Sequence, residues 1–333
     1  MREPRFWSRE VDPKSREAAP LLRFLLTPLS WIYAGVTRRR LRMANPAEVS
    51  ATVICVGNLT AGGVGKSPVI SAMRSMLETR QGLRIATLSR GYKGKLKGPL
   101  RVDPKRHTAA DVGDEPLMLA SDGEAWIGAD RAKAGEAMSA DGVDVILMDD
   151  GHQNPGLKKD GSYIVVDSKA GFGNGFVIPK GPLREPIREG LLRADGIIVL
   201  GTSEPPAILA GCGLPIITGK IEAREAPPHG PYVAFAGIGR PEKFFETLAH
   251  QKVDVRDAVP FPDHHPFSEG DMRYLRRLAA DHNAGLITTE KDYARLPHAW
   301  RDGLVTLPID VRFDRREALD KMLEDMIKPR ANG

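Results

Sequence analysis

The chain has 333 residues, of which 41% are apolar, enough for a large buried core in two domains or one large domain. Its 48 Lys and Arg against 43 Asp and Glu give a net charge of +5, but residues 1–45 hold ten of the basic and four of the acidic residues. The remainder is nearly neutral, which argues against a nucleic-acid-binding protein, whose basic residues would form a patch on the folded domain. Two cysteines, Cys55 and Cys212, cannot build a disulfide framework or a four-ligand zinc site, so we expect a reducing, cytosolic compartment.

An apolar run covers residues 21–36 (LLRFLLTPLSWIYAGV), with Trp31 and Tyr33 near its end and the arginine-rich residues 38–42 directly after it. At about 16 residues, and interrupted by an arginine and a proline, the run is shorter than the roughly 20 residues of a membrane-spanning helix. No small-residue cleavage site follows it, which argues against a signal peptide. We expect an amphipathic helix on an anionic membrane surface, where each arginine contributes roughly 1 kcal/mol. A helix packed on the protein's own core is the alternative, and one helix could do both with its two faces.

A phosphate-binding loop is predicted where the apolar strand 53–56 is followed by GNLTAGGVGKS. The pattern GxxxxGK[ST] is met except at its first glycine, where Thr60 stands. In such loops backbone N–H groups and the lysine bind nucleotide phosphates, while the Ser or Thr hydroxyl reaches Mg²⁺. An ordinary glycine-rich turn would leave Lys66 and Ser67 unexplained. The residues expected to contact the nucleotide are Thr60, Ala61, Gly62, Gly63, Val64, Gly65, Lys66 and Ser67.

After the loop, helical segments alternate with short apolar strands. The expected elements are helices at 68–77 and 114–120 and strands at 84–89, 143–148, 163–166, 196–200 and 216–218. Such alternation forms a parallel sheet covered by helices on both faces, so we predict an α/β fold of P-loop NTPase type. Residues 171–186 are dense in Gly and Pro and form a long loop in this interpretation, a length that usually signals function.

A smaller second α/β layer is predicted beyond residues 222–231, the best linker candidate. Its expected elements are a strand at 232–239, a helix after Pro241 and strands at 286–289 and 305–309. We therefore divide the chain into an N-terminal membrane-associating segment (1–45), a P-loop core (46–225) and a smaller C-terminal α/β domain (226–333).

Two adjacent acids, Asp149 and Asp150, end the strand predicted at 143–148. An apolar strand that ends in Asp is where P-loop proteins hold Mg²⁺, directly or through water, beside the hydroxyl of the loop. Two neighbouring carboxylates repel each other unless a cation or donor separates them. For Asp150, a helix or turn cap is the alternative.

Asp114 and Glu115 lie where a loop enters the helix predicted at 114–120. At the carboxyl edge of the sheet, such a carboxylate could accept a hydroxyl proton or complete a metal site. A simple N-cap is the alternative for Asp114. His264, in the sequence Asp263-His264-His265, is a weaker catalytic candidate, because a single histidine is usually structural.

Several basic side chains at loop positions could bind phosphate or cover an anionic substrate. They are Arg90, Arg131, Lys180 and Arg184, and Tyr92 lies two residues after Arg90. The sequence TEKD at 289–292 resembles a guanine-reading NKxD motif, but its Lys and Asp are adjacent, so guanine specificity is not supported.

The ordered set of motifs resembles the tetraacyldisaccharide 4'-kinase family, whose members phosphorylate the lipid A precursor on the cytosolic face of the Gram-negative inner membrane. The motifs run from Phe6 to Pro297 and are FW, PLSWIY, GNLTAGGVGKSP, LSRGY, GDEP, DDGHQ, GFGNGFVIPKGPLREP, FPDHH and TEKDYARLP. Thr60 in place of the first glycine and Pro68 after the loop both belong to that family's pattern. His152 departs from it, because the family often has an apolar residue there.

The resemblance implies ATP and Mg²⁺ as cofactors and an acylated glucosamine disaccharide lipid as substrate. It implies that Asp114 is the base for the 4'-hydroxyl, that His264 orients or charge-assists Asp114 across the domain cleft, and that Lys66 is catalytic. Arg90 and Arg184 would contact nucleotide phosphate or the 1-phosphate of the substrate. The implied Mg²⁺ ligands are Ser67, Glu115, Asp149 and Asp150.

The resemblance implies a peripheral protein on the anionic inner-membrane surface. Because His264 lies beyond the linker, we expect the C-terminal domain to close over the active site. The sequence gives no sign of an obligate protein partner. Two rivals remain at this stage. A partitioning-type ATPase has the loop KGGVGK[ST], but Ala61 stands where its signature lysine belongs. A regulatory nucleotide-binding module would not need the additional acids and the histidine pair.

Overall fold

The computed structural model describes residues 4–12, 15–80, 82–201 and 204–327, which form two sheets covered by helices. The strands are β1 (Thr52–Gly57), β2 (Ile85–Ser89), β3 (Leu100–Arg101), β4 (Ala125–Ile127), β5 (Val145–Asp149), β6 (Gly161–Asp167), β7 (Gly196–Leu200), β8 (Ile216–Ala223), β9 (Pro231–Ala236), β10 (Asp254–Pro260), β11 (Gly285–Thr289), β12 (Leu304–Leu307) and β13 (Ile309–Phe313). The helices are α1 (Pro20–Leu25), α2 (Thr27–Met43), α3 (Lys66–Glu78), α4 (Ala109–Val112), α5 (Asp114–Asp122), α6 (Arg131–Ala140), α7 (Ile187–Leu191), α8 (Pro241–His250), α9 (Glu269–Asp281), α10 (Glu290–Arg295) and α11 (Arg316–Met326).

The larger sheet has nine strands in the order β13-β8-β7-β6-β1-β5-β2-β4-β3. Its strands are parallel except at the two edges, where β3 and β13 run antiparallel to their neighbours. Successive side chains of β1 enter different cores: Ile54 and Val56 pack on the side of α3, whereas Val53 and Cys55 pack on the opposite side. Because both faces are covered, the central strands are continuous apolar runs. The predicted fold class is confirmed.

The elements predicted for this sheet lie close to their positions in the structure, whereas β3, β4, α6 and α7 were not predicted. The helix predicted at 68–77 begins two residues earlier, at Lys66, because Gly65 adopts a left-handed φ of 94° and ends the loop there. The strand predicted at 216–218 continues to Ala223, since β13 supplies a second hydrogen-bonding neighbour along its length.

The smaller sheet has the order β10-β9-β11-β12 and is parallel throughout. The strand predicted at 305–309 is divided at Pro308, which has no N–H group to continue a strand ladder. After it, β13 returns to the larger sheet, where Leu319 and Leu323 of α11 pack into the core beside α3. The division of the chain at residues 225 and 226 stays a proposal.

The N-terminal helices α1 and α2 lie outside both sheets. In the described part of the chain, no single helix has the length and apolar character to cross a membrane; residues 16–25 and 27–43 meet that criterion only as a pair, bent by 66°. Ser30 of α2 donates a hydrogen bond to Val177 O at 2.7 Å, so one face of α2 rests on the long loop. Apolar side chains elsewhere on the two helices are exposed, among them Phe24, Trp31, Ile32 and Val36.

Candidate active site

The phosphate-binding loop connects β1 to α3 and requires glycine for steric reasons. Gly65 has a φ of 94°, and a Cβ atom there would lie 2.8 Å from Leu200 Cδ1. The next residue, Lys66, opens α3 and directs its ammonium back along the loop, 3.4 Å from Asn58 Oδ1 and 3.5 Å from Asp150 Oδ1. The loop therefore presents a lysine ammonium and the N-terminus of α3 to the same space.

A polar cavity of about 650 Å³ lies beside the loop and gathers most of the predicted site residues. These residues come from the carboxyl ends of parallel strands and from both sheets, as expected for ligand sites of open α/β sheets. The predicted residues that line it are Ala61, Gly62, Gly63, Lys66, Arg90, Asp114, Glu115, Asp149, Asp150, Arg184 and His264.

A second pocket of about 220 Å³ shares Lys66 with the first. Residues of the loop and apolar side chains from strands, helices and a loop line it; they are Gly63, Val64, Gly65, Lys66 and Ser67 of the loop, with Met118, Ile221, Ile238, Phe244 and Leu307. Thr60 borders neither space. Its carbonyl accepts a hydrogen bond from Asn58 Nδ2 at 2.7 Å, and it faces a third cavity behind the loop.

Asp149 and Asp150 have different environments although they are adjacent. Asp149 is buried, and its Oδ1 atom has no hydrogen-bond partner among the described residues. Burial and the nearby Glu115 raise the pKa of Asp149 to about 7, against the opposing charge of Lys66. Asp150 adopts a left-handed φ of 51° and accepts from Arg184 Nη1 at 2.7 Å. Asp150 is therefore a partner of two cations and not a cap.

The fit for Mg²⁺ rests on the unpaired buried oxygen of Asp149. No group of three or more His, Cys, Asp or Glu side chains within the described ranges could hold a metal by itself. Mg²⁺ is usually held by one or two carboxylates together with substrate phosphates and water, so a complete protein cage is not required. Asp149, with Ser67 and Glu115 near the same boundary of the two cavities, suits that mode.

Asp114 and His264 are in contact although 150 residues separate them. Asp114 is the first residue of α5 and makes no capping hydrogen bond, so the N-cap alternative is wrong. Its Oδ2 atom lies 2.8 Å from His264 Nδ1, and because an ionised carboxylate can only accept, the imidazole N–H donates. His264 has a left-handed φ of 56°, a conformation that often occurs at functional sites in non-glycine residues.

Two basic residues of α10, Lys291 and Arg295, also face Asp114, and neither was predicted from the sequence as a site residue. Arg295 Nε donates to Asp114 Oδ2 at 2.8 Å, and Lys291 Nζ lies 3.9 Å from that oxygen and 2.9 Å from Glu115 Oε1. Burial alone would raise the pKa of Asp114, but His264, Lys291 and Arg295 hold it well below its usual range. Burial alone would lower the pKa of Lys291, but Glu115 and Asp114 raise it. Both groups are ionised at neutral pH.

The long loop at 171–186 forms backbone hydrogen bonds with the phosphate-binding loop. Ala61 N donates to Pro182 O at 2.7 Å, and Arg184 N donates to Leu59 O at 2.8 Å. Gln153, which was also missed, donates to Asn58 O at 2.8 Å and to the buried Glu185 at 3.0 Å. Its position three residues after Asp150 was the available signal.

Three other basic residues considered in the sequence analysis lie on the cavity wall or outside the cavity. Arg131 is buried on the cavity wall, where burial lowers its pKa to about 10 against the charge of Asp149. Lys180 lies outside the cavity and donates to Thr27 of α2 at 3.0 Å. His265 bonds to Asp271 at 3.1 Å and stacks on Phe261, a structural role.

Comparison with known proteins gives the family directly. A family model described as Tetraacyldisaccharide-1-P 4'-kinase matches residues 22–328. The chain belongs to this family. Proteins named tetraacyldisaccharide 4'-kinase from Hyphomonas neptunium and Maricaulis maris are 54% and 47% identical to it, over 98% of this chain and 98% and 97% of their own lengths.

A solved structure, described as the "apo" form of LpxK from Aquifex aeolicus in complex with ATP, has a TM-score of 0.74 and 25% sequence identity. It covers 92% of this chain, and this chain covers all of it. Membership of the 4'-kinase family removes both rival interpretations, the partitioning-type ATPase and the regulatory module without chemistry.

Proposed function

We propose that this 4'-kinase family member transfers the γ-phosphate of ATP to the 4'-hydroxyl of an acylated glucosamine disaccharide 1-phosphate. The observation that carries the proposal is that the phosphate-binding loop and the Asp114–His264 pair line the same 650 Å³ cavity. One site thus offers both a phosphate cradle and a carboxylate for a hydroxyl proton.

The two spaces, which share Lys66 as a lining residue, suit different parts of the substrates. The 220 Å³ pocket, with its apolar side chains, suits the base and ribose of ATP. The 650 Å³ cavity, with its cations and carboxylates, suits the sugar hydroxyl and the phosphates. The triphosphate would then lie along the loop between them, with Lys66 on its oxygens and Arg90 and Arg184 on the cavity side.

In the transfer, the 4'-oxygen forms a bond to the γ-phosphorus and the bond from that phosphorus to the β–γ bridging oxygen breaks, releasing ADP with the electron pair. The hydroxyl proton passes to Asp114, which His264 and Arg295 hold in place. A general base of this kind contributes about 10²- to 10⁴-fold. Asp149, Ser67 and Glu115 would hold Mg²⁺, which neutralises charge on the phosphates when bound. Asp150, the fourth ligand candidate, is proposed to hold Lys66 and Arg184 in position.

The lipid substrate is proposed to reach the cavity along α2 from the cytosolic face of the inner membrane. Tyr33, Thr37 and Arg40, spaced by about one helical turn, line the cavity from α2. The same helix exposes Ile32 and Val36 and carries the arginine cluster. The apolar side chains would enter the lipid while the arginines bind anionic headgroups.

The activity is tested with purified protein, labelled ATP, Mg²⁺ and the tetraacyl disaccharide 1-phosphate in detergent micelles. We expect labelled phosphate at the 4'-position of the lipid. ATP hydrolysis that leaves the lipid unchanged would contradict the proposal.

The membrane assignment is tested by flotation with anionic vesicles, using the double substitution Ile32→Glu with Val36→Glu. Both side chains are 62% exposed, so the substitutions should weaken binding without disturbing the fold. Ile208→Glu, at a position 58% exposed outside α2, is the matched control and should bind like the unmodified protein. Equal flotation of all three proteins would refute the role of α2.

A further inference from the structure

The TEKD segment, which has no assigned role as a nucleotide-reading motif, brings Lys291 into the active site. It ends β11 of the smaller sheet and opens α10, which carries Lys291, while its partners Asp114 and Glu115 lie in α5, between two strands of the larger sheet. The Lys291 ammonium is 2.9 Å from Glu115 Oε1 and 3.9 Å from Asp114 Oδ2. Its ammonium thus connects α10 to α5 beside the proposed base, Asp114.

Lys291 also lies at the boundary between the two substrate spaces. Only a few residues line both the 650 Å³ cavity and the 220 Å³ pocket. They are Gly63, Lys66, Glu115, Gly239 and Lys291. A triphosphate held by the loop would lie along this boundary, where both the loop lysine and Lys291 line the space.

The backbone that carries Lys291 is fixed on both sides. Thr289 caps α10 by accepting from Asp292 N at 3.0 Å. Asp292 is fully buried and accepts from Gly237 N at 3.0 Å and from Arg295 Nη1 at 2.8 Å. Gly237 O in turn accepts from His264 N at 3.0 Å, so the ammonium and the Asp114–His264 pair share one rigid support.

We propose that Lys291 is a catalytic residue whose ammonium contacts the oxygens of the phosphoryl group during transfer. The proposal rests on the function proposed above. Lys291 remains protonated and exchanges no proton: the bond changes are those already given, with the hydroxyl proton on Asp114. Because the transition state of phosphoryl transfer spreads charge over the phosphoryl oxygens, a fixed cation at this position stabilises it. The alternative role is a structural ion pair that only holds Glu115 and Asp114.

The test compares Lys291→Ala, Lys291→Met and Lys291→Arg with the unmodified enzyme and with Lys321→Ala, an exposed lysine of α11, as control. Turnover of the lipid gives kcat and the KM for ATP, and thermal unfolding gives Tm. We expect kcat to fall about 10²- to 10³-fold in the Ala and Met variants, with the KM for ATP changed only a few fold and Tm preserved. The Arg variant, which keeps the charge, should recover part of kcat.

A second readout does not need the lipid acceptor. The affinity for ADP with aluminium fluoride, a mimic of the transferring phosphoryl group, should fall in Lys291→Met while the affinity for ADP alone is kept. The catalytic role would be overturned if the kcat of Lys291→Met stayed within about threefold of the unmodified enzyme. It would also be overturned if the loss of kcat were fully matched by a loss of ADP binding and of Tm. Failure of the unmodified protein to phosphorylate the lipid would instead overturn the proposed function, so the two failures are distinguishable.

Discussion

His152, two residues after Asp150, should make the stability of this protein depend on pH. Its imidazole is 2% exposed and lies between Ser162 Oγ at 2.8 Å and Gly190 O at 3.0 Å. Burial, and to a smaller extent Arg193, lowers its pKa from 6.5 to about 3. In the unfolded chain the imidazole takes up a proton near pH 6.5, so the unfolded state binds more protons between pH 6.5 and 3. Stability is therefore lost as the pH falls through this range.

The size of the effect follows from the two pKa values. Between pH 7 and pH 5 the free energy of unfolding should fall by about 2 kcal/mol through His152 alone. Any folded-state pKa below roughly 4 gives the same result, because the folded protein then stays unprotonated at this site at pH 5.

Urea denaturation at pH 7 and pH 5 measures this change, and the comparison of the unmodified protein with His152→Leu isolates the histidine. The variant should lose about 2 kcal/mol less over the two pH units. His250→Leu, an exposed position of α8, is the matched control and should keep the original dependence. Identical pH dependence in the unmodified protein and His152→Leu would refute the buried neutral histidine.

The remaining predictions concern the site and the membrane. Asp114→Ala and His264→Ala should each lower kcat strongly while the affinity for ATP stays nearly intact. The kcat of the double variant should be little lower than that of the worse single variant, because the two residues act as one unit. Fully multiplicative losses of kcat in steady-state assays would show that the two residues act independently. Lys66→Ala should lower kcat at least as much as Asp114→Ala, and a smaller loss would contradict the dominance of charge neutralisation. Removal of residues 1–42 should weaken flotation with anionic vesicles and lower turnover on micellar substrate, and unchanged binding at moderate salt would contradict it.

The central sheet could be predicted because its strands are buried on both faces and read as unbroken apolar runs. The strand at Gly196–Leu200 and the strand ending at Asp149 were found for this reason. The edge strands have no such run. β10 carries charged residues and was not predicted, and the start of β13 was merged with β12 in the strand predicted at 305–309. The return of β13 to the larger sheet depends on pairing with β8, nearly 90 residues earlier, which no local pattern records.

The residues of the candidate site could likewise be predicted only where a local sequence pattern contains them. Residues inside a recognised local pattern, such as Lys66 and Asp149, could be named from the sequence alone. Lys291 and Arg295 could not, because their significance comes from contact with Asp114, which is about 180 residues away in the chain. Asp114 and His264 were candidates from their positions in the chain, but their pairing was implied only by the family resemblance, since neither stands out by composition or spacing.

The environment of Asp114 bears on the order of events in the transfer. A carboxylate held ionised by His264, Lys291 and Arg295 is a weak base, so it gains little by removing a proton from an unreacted hydroxyl. In a loose transition state the acceptor oxygen becomes acidic only as its bond to phosphorus forms, and at that point a weak but well-placed base suffices. The cations around Asp114 therefore favour late proton transfer, in which the rate depends on placing the hydroxyl and neutralising the phosphoryl oxygens.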